Sequence, residues 1–103
     1  MPIFLVISRH SPESCPMFNE KARKVYMDYL SKLEGRLKQH GGKMLGGYSV
    51  HTEHLGIMIF EAPSLEAFQK YSMEPEVMAL SEYSTYEVKM AESIEEAMKL
   101  MKG

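Results

Sequence analysis

The sequence has one cysteine, Cys15, so no disulfide can form within the chain. That suits a reducing compartment, and a cytoplasmic location is the expectation. No apolar run approaches the ~18 residues that a membrane span needs. The opening Met-Pro-Ile-Phe-Leu-Val-Ile-Ser is too short and too uncharged for a secretion signal. Neither sign of charge dominates: the formal net charge is −2, so neither nucleic acid nor an anionic membrane is an expected partner. A glycine-rich phosphate loop, a Cys-x-x-Cys pair and a His-Glu-x-x-His helix are all missing, as are repeats and low-complexity tracts.

What is present describes one domain. At 103 residues the chain is near the commonest domain size. A domain this small has little stability to spare and gains from oligomerising. Charge is unevenly spread: residues 18–43 carry seven Lys/Arg against three Asp/Glu, while residues 44–103 carry four against ten. A basic helix on an acidic body follows, which gives long-range steering. The ten methionines suit core gaps and an adaptable interface.

Residues 3–8 form a short, continuous apolar run rich in β-branched side chains, the mark of a strand buried on both faces. A loop over residues 9–18 follows, restricted by Pro12 and Pro16. Asn19 is a helix N-cap candidate. From there Ala22, Val25, Tyr26, Tyr29, Leu30, Leu33 and Leu37 recur at helical spacing, and Gly41-Gly42 supplies the left-handed stop. Residues 43–51 read as a strand in which Gly46 and Gly47 suggest a bulge. Residues 55–61 are a second buried strand, paired with the first as a hairpin. Pro63-Ser64 opens a helix carrying Leu65, Phe68 and Tyr71. Met73-Glu74-Pro75 interrupts it, and a short helical stretch runs on to about Leu80. Residues 85–90 read as the last strand. Ser93-x-x-Glu96 is a capping-box pattern before a C-terminal helix with Ala97, Leu100 and Met101.

The order is βαββαβ plus a terminal helix. Right-handed crossovers place the third strand between the first and second, so the expected fold is α+β, ferredoxin-like, with an antiparallel 4-1-3-2 sheet. Helices cover only one face of such a sheet. Yet Ile3, Leu5 and Ile7 oppose Phe4 and Val6 on the first strand, and Leu55, Ile57 and Ile59 oppose Met58 and Phe60 on the third. An apolar face that helices cannot reach must be covered. A homodimer, or a higher homo-oligomer, is the expected partner arrangement.

This topology carries His10, Cys15, His51 and His54 to one rim of the sheet, with Tyr83, Ser84 and Tyr86 nearby. His40 belongs to the opposite end, where it favours the helix dipole. If Thr52-Glu53 were a two-residue turn, His51 and His54 would be a cross-strand pair, and Gly47, Ser49 and Gly56 would share their face and leave room for a small ligand. Thr-Glu is a poor turn pair; a longer loop would lose that parity. Imidazole and thiolate together suit a transition metal, zinc, nickel or copper, bound by His10, Cys15, His51 and His54. The alternative is a small cofactor-independent enzyme, with His10 or His54 as general base and Cys15 as nucleophilic or redox thiol. A third reading is a binding module whose pocket is lined by Met and Tyr.

Three segments, His10-Ser-Pro-Glu-Ser-Cys15-Pro16, His51-Thr-Glu-His54 and Glu61-Ala-Pro-Ser-Leu-Glu-Ala-Phe68, carry a family likeness. On them the chain resembles the dimeric α/β-barrel superfamily over essentially its whole length. More closely, it resembles a family of small uncharacterised prokaryotic proteins within it. The resemblance implies paired sheets forming a barrel and favours His10 and Cys15 as site members. Superfamily members include monooxygenases, muconolactone isomerases, haem enzymes and nickel-binding proteins, so it implies no single chemistry.

Overall fold

A computed structural model describes all of residues 1–103. Its elements are β1 (Ile3–Arg9), α1 (Glu20–Gln39), β2 (Lys43–Val50), β3 (Leu55–Glu61), α2 (Leu65–Ser72), α3 (Pro75–Ala79), β4 (Thr85–Ala91) and α4 (Ile94–Lys102), with 3-10 turns at Pro12–Ser14, His51–Glu53 and Leu80–Glu82. The strands form one antiparallel sheet in the order β2-β3-β1-β4. This is the 4-1-3-2 arrangement, with the two most apolar strands in the middle.

Local chemistry sets the ends of these elements. The Asn19 side chain accepts from the Ala22 N–H and starts α1, and Ser64 does the same for α2 through Ala67. Gly41 sits at φ 79° and closes α1, with the Gly42 N–H donating to Leu37 O at 2.8 Å. The capping box before α4 forms by half. Ser93 accepts from the Glu96 N–H, but the Glu96 carboxylate pairs with Lys99 at 3.3 Å instead of reaching back. In β2 the register slips between Met44 and Gly46 against β3, leaving Leu45 as the extra residue of the expected bulge.

Pleat parity then sorts the side chains. Phe4 of β1 and Phe60 of β3 meet Tyr29, Leu33 and Leu37 of α1, Phe68 and Tyr71 of α2, and Leu80 in one buried cluster. Phe4 stacks on Phe68 with ring centres 4.6 Å apart. On the other face Ile3, Leu5 and Ile7 lie beside Leu55, Ile57 and Ile59, and all six remain only half-buried. Cα atoms span just 16 Å along the shortest axis, room for one sheet and one helical layer. No helix of the structure is long and apolar enough to cross a membrane.

Candidate functional site

The central strand pair builds the site. β1 and β3 run antiparallel with Arg9 opposite Leu55, so one step further out His10 meets His54. The ladder continues there: the His10 N–H donates to His54 O at 3.2 Å. Their rings follow, with His10 Nε2 3.3 Å from His54 Nδ1 and the ring planes at 75°.

Cys15 arrives by a different route. Pro12–Ser14 winds a 3-10 turn, and the Cys15 N–H closes it on Pro12 O at 3.2 Å. The Phe18 and Asn19 N–H groups then donate to Cys15 O, which ties the turn to the start of α1. Asn19 Nδ2 holds Glu13 O, while Arg23 reaches back to the carbonyls of Pro16 and Met17 at 2.8 and 3.0 Å. This braced loop keeps Cys15 only 3% exposed. One donor atom each from His10, Cys15 and His54 lies within 4.8 Å of the other two.

His51, the fourth candidate, stands apart from this group. The expected tight turn does not form: the hairpin pairs Val50 with Leu55 and spends four residues between them, His51–Glu53 as a 3-10 turn and His54 after it. Such a link destroys the two-residue parity that would have set His51 opposite His54. His51 is exposed, whereas His54 is half-buried. His54 takes the left-handed conformation, φ 53° and ψ 45°, and is the sole non-glycine residue of the chain with positive φ. Histidine tolerates that region better than most residues, but the conformation is still strained.

Electrostatics separate His10 from an ordinary surface histidine. Burial and the neighbouring His54 hold the His10 imidazole below its usual 6.5, favouring its neutral form. Tyr26 was legible in the sequence only as one more position on the apolar stripe of α1. Its ring stands edge-on to His10 at 6.1 Å, and its hydroxyl donates to Ser84 Oγ at 2.8 Å. Burial pushes this phenol up; the bond to Ser84 opposes that and the neighbouring Cys15 adds to it. Ser84, placed near the rim by sequence, is buried and also donates to Leu80 O. His40 lies at the far end as expected, but with a partner: its Nε2 is 2.9 Å from Glu74.

Beside His10 opens a cavity of about 340 Å³ walled by Ser8, Tyr26, Gly47, Ser49, Gly56 and Met58, among others. Gly47, Ser49 and Gly56 line it even though the tight turn on which that expectation rested does not form. A Cβ on Gly56 would stand 2.8 Å from Ser8 Oγ, so a larger residue there would fill the floor.

No family model matches the sequence, and no curated protein does. Solved structures match it in shape. An antibiotic biosynthesis monooxygenase superposes with a TM-score of 0.63 at 13% identity, over 90% of this chain and 98% of that one. An uncharacterized NIPSNAP domain protein from Burkholderia xenovorans gives 0.61 at 12% identity, over 90% and 94%. SnoaB, a cofactor-independent oxygenase from Streptomyces nogalater, gives 0.50 at 12% identity, over 90% and 92%. The chain shares their fold. It is the ferredoxin-like α+β fold, as the strand order expected from the sequence implied. At these identities the likeness is one of fold, and chemistry has to be argued from the site.

Proposed function

We propose that this protein binds a transition metal ion of the zinc, nickel or copper class through His10, Cys15 and His54. The observation that carries the reading is the convergence of three donor atoms, two from the loop after β1 and one from the β2–β3 hairpin, to within 4.8 Å. The spacing suits an ion. Two nitrogens each ~2.05 Å from a tetrahedral ion stand ~3.3 Å apart, and His10 Nε2 and His54 Nδ1 are 3.3 Å apart. The same separation is long for a hydrogen bond. The donor set, two imidazoles and a thiol, is one these metals favour. Three protein ligands, with His10 on the wall of a cavity, match sites that keep a position open for a small molecule, rather than closed structural sites.

Elemental analysis of tag-free protein tests this: about one metal ion per chain is expected, lost in both Cys15→Ser and His54→Ala. His51→Ala should leave the metal content unchanged. Wild-type protein without stoichiometric metal after purification in metal-containing buffer would end the reading.

A metal-free enzyme is the second reading, favoured by the neutral His10 on the wall of the cavity, where it can accept a proton. The fold likeness to an antibiotic biosynthesis monooxygenase and a cofactor-independent oxygenase supports it in kind. Alkylation of Cys15 separates the two. Under the first reading added zinc slows iodoacetamide labelling of Cys15; under the second, labelling is fast near neutrality and indifferent to zinc.

We also infer that two chains pair through the open sheet face. Six half-buried Ile and Leu side chains on β1 and β3, with no helix over them, support this.

A further inference from the structure

The C-terminal helix α4 is built to pack, yet its own chain buries none of its residues. Around its axis Ile94, Ala97, Met98, Leu100 and Met101 fill one side, and Glu95, Glu96, Lys99 and Lys102 fill the other. No residue of α4 is buried; Ile94 is 76%, Leu100 72% and Met101 77% exposed. A nine-residue helix is marginal in water without tertiary contacts, so its apolar side needs a cover. The helix also lengthens the molecule. The radius of gyration is 14.8 Å, against ~13 Å for a compact domain of this size.

We propose that α4 is an exchanged arm whose apolar side packs on a second copy of this chain. This rests on the pairing of open sheet faces and goes beyond it. Area favours a second copy as the occupant. Four strands of about 23 Å length at ~4.8 Å spacing offer a flat footprint of roughly 440 Å². A specific interface needs about 800 Å² from each partner. Each α4 covers roughly 130 Å², and in an exchange every copy both gives an arm and receives one. The flat footprint then grows from roughly 440 to roughly 700 Å², toward the area that a standard interface buries. Position agrees: α4 leaves β4, an edge strand, after only Glu92 and Ser93, so it starts at the border of the paired faces. Its polar side carries two Lys and two Glu, without the basic excess an anionic membrane surface selects.

The chain has no tryptophan, which makes Met98→Trp a clean reporter. Its emission should be blue-shifted at concentrations where sedimentation shows a dimer and move to the red on dilution to monomer. Leu100→Glu combined with Met101→Glu should weaken dimerisation about tenfold or more, with the thermal unfolding of the sheet domain still cooperative. A blue shift independent of concentration would put the arm on its own chain and overturn the exchange, as would emission that stays red in the dimer. If Ile59→Lys breaks the dimer while the α4 double variant leaves its dissociation constant unchanged, the sheet pairing stands and the arm falls. A wild-type monomer at micromolar concentration removes both.

Discussion

At the scale of single residues, His54 stands out because its backbone is strained where its side chain is placed to bind. A left-handed residue other than glycine costs about 1 kcal/mol or more, and His54 holds φ 53° at the end of the hairpin turn. Glycine relieves that strain and deletes the ligand. His54→Gly should therefore raise the stability of metal-free protein by about 1 kcal/mol in urea denaturation while abolishing metal binding. His54→Ala should lose the metal with no gain in stability. If both variants are equally stable, the strain has been misjudged. The same turn sets the fourth candidate ligand, His51, apart from the other three. Histidine at 51 and 54 is visible in the sequence, but the turn that separates them is not. Thr52-Glu53 offered a warning, being a poor two-residue turn, and the chain resolves it with a 3-10 turn that leaves His51 exposed.

Between elements, the decisive contact outside the core is an ion pair from α1 to α3. Arg36 grips the Glu76 carboxylate through Nε at 2.6 Å and Nη2 at 3.5 Å, and Glu76 is 4% exposed. Glu74, alongside, takes His40 at 2.9 Å. Burial alone would raise the Glu76 carboxyl, but the hydrogen bonds from Arg36 reverse this and hold it below 4.5. A folded-state pKa below the unfolded value stabilises the fold above 4.5, and the stabilisation is lost as pH falls through the folded value. Arg36→Ala leaves a buried carboxylate without its partner and should cost about 3 kcal/mol at pH 7. In that variant Arg36 no longer reverses the effect of burial, so the loss relative to wild type should be largest at pH 7 and shrink as pH falls toward 5 and the carboxyl takes up a proton. Denaturant midpoints across that range decide it; parallel pH profiles would mean the pair contributes little. Neither residue was singled out from the sequence. Arg36 is one of seven basic residues over positions 18–43, and its pairing depends on how α3 lies across α1.

For the whole molecule, a fold of one sheet and one helical layer leaves the rear of the sheet open. If the faces pair, stability is linked to association, and the thermal midpoint should rise with protein concentration. A midpoint unchanged over a hundredfold concentration range would oppose pairing.

Much of this architecture was settled by the sequence alone, because the deciding physics is local or periodic. The stripe from Ala22 to Leu37 can bury itself only as a helix, and Asn19 and Gly41 mark its ends through their own backbone preferences. The apolar runs of β1 and β3 demand central places in a sheet. Short connections and handedness then leave one strand order. Tertiary structure alone decided which donor atoms meet. His10 and His54 face each other because two strands forty residues apart are in register, and Cys15 joins them because Arg23 and Asn19 brace its loop. Tyr26 is a site neighbour for the same reason. Ångström-scale proximity between remote segments depends on register and loop geometry summed over the whole chain, and residue spacing carries no record of that sum.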